Sequence, residues 1–398
     1  VTGDSPVTGV TGKGYFLNTT AGTITINLPA GAAGSIISMA DYAGTWQTNA
    51  VSVSPNGSDK IGGENFAVSL GTQGQSVTLV YVDAVEGWVT TADSSENIVG
   101  SEFIVATGGC ITCSGNCKIH TFNGPGTFCV SVASGTAANN LVSYMVVASG
   151  GGGGGGQPGY GGASGAGAGG FRELVSPSAP YTASPLDGYP NAPNRVSIAA
   201  SPYPIVVGGG GAGGPLCAGP VPANNGVDGN TSSFSTISSA GGGGGRGGPC
   251  NSQCGAAGGS GGGASGGNPG CKAGGAGNTP PTSPAQGFPG GSAGPYPAPP
   301  AYYFDSAGGG GATSAGSDSQ PGPRAGGAGA TTEITASPVT YAAGGNGGSY
   351  TPATTPISNA PDNSGTGGSG KSTGPAGNPG AVGANGGSGI VIIRYKFQ

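Results

Sequence analysis

Residues 365–373 read Gly-Thr-Gly-Gly-Ser-Gly-Lys-Ser-Thr and satisfy the phosphate-binding spacing G-x-x-x-x-G-K-[ST]. A working phosphate loop follows a buried strand and opens a helix, so that backbone N–H groups and the lysine converge on the phosphates. Here Pro356 and Pro361 precede the string, and Pro375 and Pro379 follow it. Neither a strand before it nor a helix after it is compatible with those prolines. The string reads as a product of glycine-rich composition, and no nucleotide cofactor is expected.

Thiol chemistry is the next candidate. The eight cysteines fall into two groups, Cys110, Cys113, Cys117 and Cys129, then Cys217, Cys250, Cys254 and Cys271. With His120 nearby, the first group has the spacing C-x2-C-x3-C-x2-H, which is not a common structural zinc pattern. Ser114-Gly-Asn116 reads as a hairpin turn that places Cys113 and Cys117 on facing strands. An even count in a chain of low charge points to an extracellular set of disulfides or free thiols rather than a metal site. Connectivity is not deducible from spacing. Nucleophilic catalysis needs a base beside the nucleophile, and His120 is the sole histidine, set in a strand-like alternation. No G-x-S-x-G elbow stands in a strand–turn–helix setting. We therefore expect no catalytic residue, no metal and no enzyme activity.

Binding residues are more promising. The stretches 179–190 and 294–305 combine tyrosine with proline, through Tyr181 and Tyr189 in the first and Tyr296, Tyr302, Tyr303 and Phe304 in the second. Tyrosine offers large contact area at low entropy cost, and proline lowers the cost of ordering a loop. These aromatics are candidate receptor contacts. The competing reading is that they pack on the protein itself or on a neighbouring chain.

Composition limits what can hold such residues in place. The chain of 398 residues holds 92 glycines and 33 prolines, only 7% charged residues and a net charge of −5. The acidic balance argues against a nucleic-acid partner, and no apolar run is long enough to insert in a membrane. The first 100 residues hold 15 of the glycines, so a boundary follows them. We place an N-terminal β-domain, an attachment module, at 1–95, a linker with a cysteine-bearing hairpin at 96–117, and a glycine-rich domain at 118–398. Short β-branched or alternating runs bounded by turns, such as 23–28, 50–54 and 77–82, predict strands throughout.

Glycine tracts such as 150–156, 208–211, 241–245 and 308–311 follow several of these strand-like runs. Glycine costs about 1 kcal/mol per residue in an α-helix relative to alanine, which excludes helix. An extended threefold helix has no internal hydrogen bonds, so a buried one must find partners in its neighbours. Only glycine lets backbones approach that closely. Gly374, Gly377, Gly380, Gly383 and Gly386 recur every third residue along one such edge. The fold expected is all-β: a small N-terminal β-domain, then a β-sandwich carrying a polyglycine II helix bundle.

The runs 142–152, 203–214, 231–242 and 339–345, with the ending Gly386-Gly-Ser-Gly-Ile-Val-Ile-Ile-Arg-Tyr395, together resemble the glycine-rich domain of tailed-phage, cyanophage-like fibre and adhesin proteins. The N-terminal stretch also looks like a β-module of virion proteins. The resemblance implies a non-enzymatic virion protein, in which polyglycine II layers carry loops that bind a host cell-surface receptor. Its partners would be that receptor and other virion or fibre subunits, in an oligomeric, extracellular assembly. The alternative is a purely structural virion decoration or a self-assembling extracellular filament. The cysteines depart from the family's pattern.

Overall fold

The computed structural model describes residues 1–93, 103–156, 162–216, 224–247, 253–266, 272–294, 305–319, 324–349, 359–371 and 382–398. The chain is all-β, and helical turns among the described residues are confined to Thr2–Asp4, Ala137–Asn140 and Ala192–Asn194. It divides into two compact units, Val1–Glu102 with Ser134–Thr136, and Phe103–Ala133 with Ala137–Gln398. The change of unit follows the first 100 residues, at Glu102/Phe103. Residues 103–117, read as linker, carry the strands Val105–Thr107 and Cys110–Ser114 of the second unit. Cys110–Ser114 is the first arm of the expected hairpin, whereas Val105–Thr107 forms a strand through its pairing with Gly126–Val132, which local composition does not report.

The first unit is a pair of four-stranded sheets. Val7–Thr8, Ile24–Asn27 and Val51–Ser54 run parallel in one sheet, with Val68–Leu70 antiparallel at its edge. Lys13–Leu17 and Ile36–Asp41 run parallel in the other, followed by antiparallel Ser76–Tyr81 and Trp88–Asp93. The first five strands therefore alternate between the two sheets. Side chains alternate with period two along a strand, so Ile24, Ile26, Val51, Val53, Ile37, Met39, Val77 and Leu79 all face one core around Trp46 and Trp88. Trp46 is fully buried, and its Nε1–H donates to Leu17 O at 3.2 Å.

The second unit is a sandwich. One sheet orders Cys110–Ser114, Cys117–Phe122, Ile390–Lys396, Ser143–Val147 and Phe171–Leu174. The facing sheet orders Ile237–Ser239, Ser232–Phe234, Pro202–Val206, Gly126–Val132 and Val105–Thr107. The C-terminal strand Ile390–Lys396 is the middle strand of its sheet, antiparallel to both neighbours. Val391, Ile393 and Tyr395 enter the core between the sheets. Ile390 and Ile392 enter a second core on the opposite face, with Ile334 and Tyr341 around the hairpin Ala330–Thr332/Val339–Tyr341. Burial on both faces explains why this strand is a continuous apolar run.

The glycine tracts leave the sandwich strands and pack side by side. Successive N–H groups of one tract bond to three different neighbours in rotation: Gly150 to Gly387 O, Gly151 to Gly167 O, Gly152 to Val227 O, then Gly153 to Ala384 O, Gly154 to Ser164 O and Gly155 to Asn224 O. The carbonyls rotate likewise, accepting from Gly211, Gly368 and Gly245 at Gly150, Gly151 and Gly152. Each neighbour recurs every third residue, so the tract is hydrogen-bonded to six surrounding segments. A Cβ on Gly152 would stand 1.9 Å from Ala212 O, and one on Gly309 1.8 Å from Ala166 O. None of the described residues of 150–156 adopts a positive φ. Glycine is required here for close backbone approach, not for conformational freedom.

Candidate functional site

The phosphate-loop string lies inside this lattice. The N–H groups of Gly365, Gly367, Gly368, Gly370 and Lys371 donate to Ser388, Ala343, Gly151, Asn346 and Gly154 carbonyls. The amides that a phosphate would need are committed to neighbouring backbone. Ser372 and Thr373 lie outside the described residues.

The first cysteine group carries no disulfide. Cys110, Cys113, Cys117 and Cys129 are free thiols, with Cys117 buried. The hairpin turn is two residues, Gly115-Asn116, and the register sets Ser114 against Cys117 and Cys113 against Lys118. Cys113 and Cys117 thus lie on facing, paired strands, as the turn predicts, one register position apart. In the second group Cys254 is disulfide-bonded, while Cys217, Cys250 and Cys271 lie outside the described residues. No metal-holding group of His, Cys, Asp and Glu occurs among the described residues.

His120 is fully buried between the sheets. Its Nδ1 is 2.7 Å from Gly108 O and its Nε2 is 3.0 Å from the Tyr395 hydroxyl. A carbonyl only accepts, so Nδ1 carries the proton and Nε2 accepts from Tyr395. Burial holds the imidazole below its ordinary pKa and pushes the Tyr395 hydroxyl up to about 12. The ring also meets Phe128 edge-on at 5.0 Å. Both nitrogens are engaged in packing, which makes His120 a core residue.

Of the aromatic candidates, Tyr181 packs on the core beneath the small hairpin and Tyr189 on the core between the sheets. The Arg195 guanidinium lies 4.5 Å from the Tyr189 ring centre. Tyr296, Tyr302, Tyr303 and Phe304 fall outside the described residues. The first stretch, 179–190, thus lies against the sandwich.

Tyr181 sits between two buried charges that the sequence reading did not single out. On one side is Glu173, 2% exposed, which accepts from Ser184 N–H at 2.9 Å and from the Thr332 hydroxyl. Burial raises its carboxyl pKa, against those hydrogen bonds. Burial, then the Glu173 charge, push the Tyr181 hydroxyl well above its ordinary range. On the other side the Arg394 guanidinium lies 5.4 Å from the ring centre. The only available signal was the scarcity of charge: Arg172-Glu173 and Arg394 interrupt otherwise apolar strands.

Two surface features remain. The first is the lattice end away from the sandwich. There Gly155 bonds Asn224, Gly154 bonds Ser164, Ser164 bonds Arg246, Ala163 bonds Lys371, Gly383 bonds Gly214 and Gly348 bonds Ala163. Further along the same end, Ser306 bonds Gly348, Gly347 bonds Arg324 and Ala293 bonds Lys272. These residues border the stretches 157–161, 217–223, 248–252, 267–271, 295–304, 320–323 and 372–381. At the opposite end Ala148, Gly170, Ala240, Gly208 and Gly389 adjoin the sandwich strands. Asp305, the first described residue after 295–304, is tied to Arg324 by an ion pair of 2.6 Å. The second feature is an open cleft of about 620 Å³ among Ser114–Cys117, Asn139, Pro177, Ser178, Pro180, Arg394 and Lys396.

No curated protein is significantly similar to the chain. The sequence profile of the glycine-rich domain matches residues 121–396, from the strand Cys117–Phe122 to the end of the C-terminal strand. That match takes in the glycine tracts and the sandwich strands from Gly126–Val132 onward, and the chain belongs to the glycine-rich domain family.

Proposed function

We propose that the chain is a non-enzymatic fibre or adhesin subunit of a tailed-phage type of virion, working outside the cell. On this reading the tracts form a polyglycine II bundle, a rigid mount held by backbone hydrogen bonds. Its loops, 295–304 with Tyr296, Tyr302, Tyr303 and Phe304 foremost, meet a host cell-surface receptor. The observation that carries the reading is that the residues bordering so many intervening stretches lie at one lattice end, remote from the sandwich. The three-residue hydrogen-bond period supports the polyglycine II assignment. Several copies in one assembly would add avidity. The first unit serves as the attachment module to other virion or fibre subunits.

A second reading, a structural decoration or filament, is favoured by one feature. Cys110–Ser114 is an edge strand with Ile111 44% exposed, and such an edge accepts strand addition. The two readings separate in an adhesion assay. Fluorescently labelled chain is applied to a panel of aquatic bacteria, beside a Tyr302→Ala/Tyr303→Ala variant. Adhesion that falls at least tenfold, with an unchanged melting temperature, supports the adhesin. Adhesion unchanged by the double substitution removes this loop from the account, and self-association without adhesion favours the filament.

A further inference from the structure

The cleft beside the sandwich has a composition that the loop reading does not use. Arg394 is 7% exposed, and no carboxylate pairs with it among the described residues. Its Nη1 donates to Ile334 O at 3.2 Å and its Nη2 to Pro180 O at 3.3 Å, while the buried Nε–H has no partner. A buried cation without a counter-ion is costly, and this one borders an open cleft. Lys396 stands two residues on, on the same face of the strand, with its Nζ 5.1 Å from the Phe103 ring centre and no carboxylate partner. Among the described residues no acidic side chain lines this cleft. Glu333 borders only an adjoining lobe of about 420 Å³, which shares Ser114, Pro180 and Arg394. Glu173 is held by Ser184 and Thr332 and lines neither lobe.

The remaining polar side chains of the wall are hydroxyl and amide: Ser114 at the end of its strand, Asn116 in the hairpin turn, Asn139 and Ser178; Gly115, Cys117, Pro177 and Pro180 complete it. Few apolar side chains are offered as pockets for a peptide. Two cations set among side-chain hydroxyls and amides complement a polyol that bears a carboxylate. The size suits a small ligand. We propose that this cleft binds an acidic saccharide residue, its carboxylate on Arg394 and Lys396 and its hydroxyls on Asn116, Asn139 and Ser178. Arg394 supplies the fixed fork for the carboxylate and Lys396 a movable point charge. The site stands independently of loop 295–304, because its lining comes from the hairpin turn, the 177–180 stretch and the far end of the C-terminal strand, seven residues beyond Gly389.

The test is calorimetry and ligand-observed NMR on the full chain, with glucuronic acid and N-acetylneuraminic acid as probes. Glucose, acetate, sulfate and a tetraglutamate peptide are the comparison ligands. The expected result is binding of an acidic sugar but not glucose, weakened at least tenfold by Lys396→Glu. Asn116→Ala should weaken the acidic sugar and leave acetate unchanged. Thermal melts establish that each variant is folded, and Lys396 and Asn116 are chosen because both are more exposed than Arg394. The proposal is overturned if no acidic sugar binds the folded chain, or if Lys396→Glu leaves binding intact. It is equally overturned if acetate or sulfate binds as well as the sugars, or if only the peptide binds. A failure here leaves the adhesion result of the loop variant standing, so the two readings fall separately.

Discussion

Gly152 and Gly209 show what individual glycines do in this chain. A methyl on Gly152 meets Ala212 O at 1.9 Å, whereas one on Gly209 meets nothing within 4 Å. We predict that Gly152→Ala destabilises the second unit by about 1–3 kcal/mol or more, and that Gly209→Ala stays within about 0.5 kcal/mol; chemical denaturation of both variants measures this. His120 gives a pH prediction. Its folded pKa lies below the unfolded value, so its stabilising contribution is complete above the unfolded pKa, near 6.5. As pH falls below that value the unfolded chain gains a proton that the buried imidazole resists, and stability drops. The difference in stability between the native chain and His120→Gln should shrink on acidification from pH 7 toward 5. Glu173, with its raised pKa, contributes in the opposite direction over part of that window, and the difference cancels it. Residue roles were unevenly legible. The need for close-packed glycine followed from the tracts themselves. Glu173 and Arg394 were not foreseeable, because a lone charge in a strand reads as solvent-facing until its neighbours are known.

The C-terminal strand is the element on which the second unit closes. Its side chains feed two cores at once, and Ile392 is fully buried. Ile392→Ala should cost about 2–5 kcal/mol, and removal of residues 390–398 should unfold the sandwich, as read by circular dichroism and proteolysis. Strands of the first unit were legible because Ile24/Ile26 and Val51/Val53 alternate with polar residues. Their parallel pairing was not, since alternation reports which face is buried and says nothing of the neighbour. The short strands Val7–Thr8 and Val68–Leu70 were missed for want of length. The glycine segments were legible as extended and mutually bonded. Which tract bonds which is set by contacts such as Gly150–Gly387, far apart in sequence.

At the scale of the whole molecule, the glycine gradient pointed to a change near residue 100, and the strand Val105–Thr107 was not foreseen, because its partner Gly126–Val132 lies further along the chain. The lattice surrounds the tract 150–155 with six bonded neighbours, so its amides should exchange slowly as one block. Hydrogen exchange should show protection across 148–155 and 162–170 together, and a tract exchanging alone would argue against a cooperative mount. The ion pair Asp305–Arg324 ties the residue that follows 295–304 to the one that follows 320–323, and Arg324→Ala should weaken adhesion with little loss of global stability. Cryo-electron microscopy of the native assembly, with residues 295–304 located in the map, tests the central claim most directly. The account predicts that they stand free at the lattice end remote from the sandwich. Burial of that end between copies would contradict it and make the protein a structural building block.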